Sequence, residues 1–195
     1  AHNPIIVHIS SLAMARRCVA QWPDTAEKLA RHFWPGPLTL VLPRSSLIPD
    51  IVTAGGETVG VRFPLHPFIR RVIELCDFPL AAPSANPANQ LSPTTAEHVR
   101  QSLNGRIPLI VDAGPTSVGI ESAVLDLTAS RPAVLRPGMI SAQQIGAVLD
   151  CKVQVVQSSG TNSGALKSPG TLQKHYSPRA RLVLATWNND TELVQ

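Results

Sequence analysis

Hydrophobic and polar positions along this chain switch between a helical period and a strand period, and the switches predict its elements. The apolar run IIVHI at residues 5–9 reads as a strand or as the approach to a helix. In PDTAEKLARHFWPG, Leu29, Ala30 and Phe33 recur at helical spacing. Asp24 opens that segment with Glu27 three residues on, the pattern of a helix cap with its reciprocal partner, and Pro35-Gly36-Pro37 ends it. PLTLVLPR (37–44) and TVGVRFP (58–64) read as strands separated by a loop containing Pro and Gly. HPFIRRVIELC (66–76) puts Phe68, Ile69, Val72, Ile73 and Leu75 on one helical face and leaves Arg70 and Arg71 to water.

FPLAAPS (78–84) begins as a buried strand and then turns small and polar. SPTTAEHVRQSLNG (92–105) is a well-signalled helix, with a Thr start, Glu97 in its first turn and Gly105 past its end. IPLIVDAG (107–114) is almost continuously apolar, as in a strand covered on both faces. SAVLDLT and AVLRPG are further strands, SAQQIGAVLD is a helix and KVQVVQ a last strand. Strands alternating with helices define an α/β domain over residues 1–156. The next segment, SSGTNSGALKSPGTLQKHYSPR, has no apolar period, so residues 157–179 are expected to form a linker or an ordered lid. ARLVLATW then reads as the first strand of another unit, residues 180–195.

Composition narrows the class. Of 195 residues, 44% are hydrophobic but only 4% aromatic, so the core must rest on Val, Leu, Ile and Ala. A formal net charge of +4 suits a phosphate-bearing ligand or weak nucleic-acid contact and identifies neither. Cys18, Cys76 and Cys151 are widely spaced without a CxxC pair, which argues against a disulfide framework or a zinc site and fits a reducing compartment. No apolar run approaches the ~18 residues of a membrane span. Residues 1–10 lack the basic and apolar regions of a signal peptide and read like the middle of a domain, so the amino terminus is expected upstream.

Polar residues recur where predicted strands end. Arg62 follows an apolar strand in GVRFP; Ser84 and Asn86 stand between Pro83 and Pro87; Arg136 closes AVLRPG. In AGPTSVGIESA, Gly114, Gly119 and Ser122 surround a turn whose backbone N–H groups could approach an anion. Taken singly, each has an ordinary reading. The arginines could pair with carboxylates, Ser84 and Ser122 could form turns, and His8 could be a satisfied core histidine. Thr58 could be a plain strand residue, Asn3 and Ser92 caps, and Tyr176 a loop anchor. Together they suggest a polar floor for a phosphate-containing molecule beyond the strand ends. GxxxxGK[ST], GxGxxG and GxSxG motifs are absent, as are histidine pairs at metal-ligand spacing.

The segments NPIIVHI, WPGPLTLVL, TVGVRFPLHP, AAPSANPANQLSPTTAEHV, DAGPTSVGIESAVLDL and LRPGMI, in this order, closely resemble the YrdC-like threonylcarbamoyl-AMP synthases. KSPGTLQKHYSPRARLVL is similar to the linker and following strand of the two-domain members. The resemblance implies a twisted open mixed sheet with flanking helices, then a linker and the first strand of a truncated Rossmann-like domain. It implies synthesis of L-threonylcarbamoyladenylate and pyrophosphate from L-threonine, bicarbonate or CO2 and ATP with Mg2+, in the cytoplasm, for tRNA modification by partner enzymes. It assigns Asn3, Thr58, Ser84, Ser92, Arg136 and Tyr176 to ATP, and His8, Arg62, Ala82 and Ser122 to L-threonine. Arg136, Ser84 and Asn86 take the catalytic roles. The family's Lys-x-Arg element would precede Ala1, and Ala113 and Thr116 stand where many members carry Gly and Cys. The competing expectation is a double-stranded RNA- or tRNA-binding or ribosome-associated module without synthase activity.

Overall fold

The computed structural model describes residues 3–156. In chain order its elements are β1 (Val7–His8), α1 (Leu12–Cys18), α2 (Asp24–Phe33), β2 (Leu38–Pro43), α3 (Asp50–Thr53), β3 (Thr58–Arg62), α4 (Pro67–Cys76), β4 (Leu80–Ala81), α5 (Ala96–Leu103), β5 (Ala123–Asp126), β6 (Ala133–Arg136), α6 (Ala142–Leu149) and β7 (Gln154–Val155). The strands make one mixed sheet in the order β4-β1-β3-β2-β5-β6-β7. Thus β1 runs parallel to β3, β2 antiparallel to β3, β5 parallel to β2, and β6 antiparallel to β5.

Helix ends follow local chemistry. The Ser11 hydroxyl accepts the Met14 N–H at 3.1 Å, and the Thr95 hydroxyl accepts that of His98 at 3.2 Å. Ser141 and Gln144 form a reciprocal capping box at α6. Each satisfies a donor that the first helical turn leaves without a partner.

Side-chain alternation sorts the sheet into two unlike faces. Val7, Leu38, Leu40, Leu42, Val59, Val61, Ala123 and Leu125 join one apolar cluster with Met14, Ala15 and Cys18 of α1, Leu29 of α2, Ile73 of α4 and Ile145 of α6. These helices therefore pack on a single face. The residues between them, Ile6, His8, Thr39, Val41, Gly60, Arg62, Ser122 and Val124, stand outside that cluster and put the polar groups on the other face. A Cβ built on Gly60 would lie 3.1 Å from Thr39 Cγ2 and 3.7 Å from Ile6 Cγ1, so these side chains share that second face.

Several expectations need correction. Residues 107–114 form no strand, and Leu109 and Val111 are 73% and 49% exposed. An apolar run becomes a strand only beside a ladder partner, and no described strand pairs with it. The Asp24/Glu27 pair is no capping box: Pro23 occupies the cap without a side-chain bond. Glu27 instead accepts from Trp22 Nε1 at 2.7 Å, Arg16 Nη2 at 2.8 Å and Arg31 Nε at 2.9 Å. The FPLAAPS strand shrinks to two residues at the sheet edge, partly covered at Leu80 and exposed at Ala81. On α4 only Ile73 is buried, Phe68 and Leu75 are exposed, and Arg70 lies over the Phe63 ring at 5.0 Å. Neither α1 nor α3 was set out as an element by the hydrophobic pattern; both are short, at seven and four residues.

Candidate functional site

Strand direction decides which residues meet. With β1, β3 and β6 pointing one way and β2 and β5 the other, one sheet edge collects His8, Arg62 and Arg136 from strand ends. The same edge collects the residues just before β2 and β5, Gly36 and Ser122. His8 and Arg62 are ladder neighbours.

Arg62 Nε donates to the Gly36 carbonyl at 3.3 Å, and Gly36 N–H donates to the Phe63 carbonyl at 2.8 Å. A Cβ at Gly36 would fall 2.3 Å from the Phe33 carbonyl oxygen, so this loop reaches Arg62 only with glycine there. Arg62 makes no ion pair among the described residues. Its pKa is pulled below the ordinary arginine value by burial and then by the positive charge of Arg136. Two guanidiniums close enough to repel are an arrangement that favours an anion between or beside them.

Arg136 is aimed by Ser122. Its Nε and Nη2 donate to the Ser122 carbonyl at 3.1 and 3.0 Å, and Nη2 also donates to Ser122 Oγ at 3.1 Å. Ser122 Oγ shares a 2.8 Å hydrogen bond with Thr39 Oγ1, and both residues are buried. Gly138 permits the approach, because a Cβ there would sit 2.3 Å from the Ala123 nitrogen.

His8 is neutral at pH 7: burial first, then the Arg62 charge, push its pKa down to about 4. Its Nδ1 is buried without a hydrogen-bond partner. Such a group costs free energy unless something else satisfies it.

The remaining expected residues lie around this centre at different distances. Ser92 donates to the Glu121 carboxylate, and Thr116 N–H donates to the Thr94 carbonyl at 2.8 Å, which fastens the 92–95 segment beside Ser122. Ala82 N–H donates to the Ile6 carbonyl at 3.1 Å, at the start of the loop that carries Ser84 and Asn86. Ser84 is exposed. Asn86 Nδ2 donates to the carbonyls of Pro87 at 2.9 Å and Gln90 at 3.2 Å, while its buried Oδ1 has no partner. Thr58 shares the Arg62 face but starts β3, about 13 Å away along the strand. Asn3 precedes β1, at the end opposite His8, and its Oδ1 is also buried without a partner. Tyr176 lies outside the described residues. Gly114 spends its N–H on Asp112 Oδ1 at 2.9 Å, so that donor is not held open for an anion.

Sequence reasoning missed Thr39, Gly36 and Gly138. WPGP and RPG were the available signals, since glycine beside proline at a strand end marks a forced backbone path. Thr39, inside an apolar strand, gave none.

An open mixed sheet with helices on one face and guanidiniums, a hydroxyl pair and a neutral imidazole at one edge defines an α/β protein equipped to bind an anionic small molecule. The chain belongs to the Sua5/YciO/YrdC family: that family's model, described as telomere recombination, matches residues 1–138. A second model, described as threonylcarbamoyl-AMP synthase, C-terminal domain, matches residues 140–194. Within the structure, α6 packs on α2 and β7 pairs with β6, so residues up to 155 are built into the same sheet.

The threonylcarbamoyl-AMP synthase of Pyrococcus abyssi is 41% identical over 191 residues, covering 97% of this chain and 56% of that protein. That of Bacillus subtilis is 43% identical over 183 residues, covering 93% of this chain and 53% of that protein. The crystal structure of P. abyssi Sua5 complexed with L-threonine superposes with a TM-score of 0.87 at 42% identity, over 92% of this chain and 53% of that one. The chain spans about half the length of the curated relatives it matches.

Proposed function

We propose that this chain carries the substrate-binding domain of an L-threonylcarbamoyladenylate synthase. The supporting observation is the meeting of Arg62, Arg136, His8 and Ser122 at one sheet edge, with Arg62 unpaired by any described carboxylate. L-Threonine would take the His8, Arg62, Ala82 and Ser122 side, its carboxylate on the Arg62 fork. ATP would take Asn3, Thr58, Ser84, Ser92 and Arg136, with Asn86 on the same loop as Ser84. Tyr176, which lies outside the described residues, would also contact ATP.

In this reading the threonine amine adds to CO2 and loses a proton, giving a carbamate. A carbamate oxygen attacks the α-phosphorus, and the bond to pyrophosphate breaks. The protein acts by alignment and by stabilising charge on phosphate oxygens, with Arg136 the principal cation. Mg2+ would arrive on the ATP phosphates. Phosphate oxygens suit that hard ion. The adenylate would pass to a tRNA-modifying partner enzyme in the cytoplasm. No helix among the described residues is long and apolar enough to cross a membrane.

Pyrophosphate release is the test, measured with ATP, Mg2+ and bicarbonate, first with L-threonine and then with L-serine. Release that requires threonine supports the reading. Tight salt-sensitive RNA binding with no threonine-dependent release would replace it with the RNA-binding alternative.

A further inference from the structure

The Thr39–Ser122–Arg136 chain has a direction that follows from hydrogen-bond accounting. Thr39 Oγ1 is fully buried, and its one hydrogen bond among the described residues is the 2.8 Å contact to Ser122 Oγ. If Ser122 donated in that contact, the Thr39 proton would be buried without an acceptor, a loss comparable to a missing hydrogen bond. If Thr39 donates, its proton is satisfied and only a spare lone pair stays idle. Ser122 Oγ already accepts from Arg136 Nη2 at 3.1 Å. With Thr39 as the second donor, both of its lone pairs are occupied.

We propose that Thr39 is a positioning residue that makes Ser122 an obligate hydrogen-bond donor toward the ligand, so that this point of the site selects an oxygen acceptor over an N–H donor. The proposal rests on the functional reading above for the identity of the ligand and on geometry alone for the polarity of the chain. Gly60 leaves room for this arrangement: a methyl there would meet Thr39 Cγ2 at 3.1 Å, so that side chain would have to give by a few tenths of an ångström. Arg136 is held separately by the Ser122 backbone carbonyl. Loss of the Thr39 hydroxyl should therefore loosen the Ser122 side chain while leaving Arg136 in position.

Two measurements decide it. Neutron diffraction from deuterated, ligand-free crystals should place the Thr39 deuteron toward Ser122 Oγ and the Ser122 deuteron away from Thr39. The reverse polarity overturns the proposal whatever the protein binds. By calorimetry, Thr39→Val should weaken L-threonine binding about tenfold, with ATP binding nearly unchanged and Thr39→Ser restoring threonine affinity. Unchanged threonine affinity in Thr39→Val, or equal losses for both ligands, also overturns it. Should Thr39→Val not fold, Thr39→Ala is read the same way. A wild-type protein that binds no threonine would sink the functional reading, and the neutron result alone would then stand for or against the Thr39 polarity.

Discussion

Protonating His8 should destabilise this protein as pH falls from 6.5, starting above the range in which Glu27 and Glu97 act. The half-buried His8 ends β1 beside Arg62, and burial and then the Arg62 charge lower its pKa from 6.5 to about 4. The folded state therefore binds fewer protons than the unfolded chain between these values. The stabilisation is complete above pH 6.5 and is lost as pH falls toward 4, about 3 kcal/mol in all and about 2 kcal/mol of it by pH 5. Glu27 and Glu97, whose pKa values fall to about 2 through hydrogen bonds led by Trp22 and Arg100, act only below their ordinary value of 4.5. Urea unfolding at half-unit steps from pH 7.5 to 4.5 would isolate the imidazole. His8→Gln, which cannot titrate, should flatten the curve above pH 5. A wild-type curve already flat there, or one with the slope of His8→Gln, would refute the claim that burial keeps this ring neutral.

Three other changes probe the site and its frame. Arg62→Ala should weaken L-threonine binding by about a hundredfold, the loss of a charge-assisted pair, with ATP affected only a few-fold; calorimetry with each ligand separates the two, and equal losses reject the assignment. Gly138→Ala forces a methyl onto the Ala123 nitrogen at 2.3 Å, and thermal unfolding should show a loss of about 1–3 kcal/mol, since backbone rather than a side-chain tip must yield. Leu40→Ala, in the centre of β2 and fully buried, should cost about 2–5 kcal/mol in denaturant unfolding while leaving ligand affinities of the folded protein intact.

The strands that positioned the site were legible because their patterns needed no context. LTLVLP and TVGVR are short, apolar and closed by proline or charge, and both form as read. The Thr start declared α5 through side-chain capping, a contact confined to a few residues, and Ser141 caps the helix read over SAQQIGAVLD in the same way. What failed was non-local. IPLIV carries as strong a strand signal as β2, yet a ladder needs a neighbour and the pattern cannot say whether one exists. Glu27 was read against its own helix, but a Trp22 indole and two guanidiniums compete for its oxygens and win. Arg70 was assigned to water because it is charged, although its aliphatic stem and planar head suit the Phe63 ring. At the site, Arg62, Arg136 and Ser122 were nameable from strand ends, whereas Thr39 gained its meaning only from a residue 83 positions away.

The mixed strand directions are what turn scattered strand ends into one site. In an all-parallel sheet only carboxyl ends would reach this edge, and Ser122, which precedes its strand, would lie at the far side from Arg62. Because β2 and β5 are reversed, the entry to β5 meets the exits of β3 and β6, and the Ser122 carbonyl can accept from Arg136 while Gly36 before β2 accepts from Arg62. Both guanidiniums are thus held by backbone oxygens of reversed-strand entries. A backbone acceptor neutralises no charge, so Arg62 keeps the positive potential that a carboxylate in place of the Gly36 carbonyl would cancel. Glycine at 36 and 138 is what lets those backbone segments come close enough, which ties the electrostatics of the edge to two positions that carry no charge themselves.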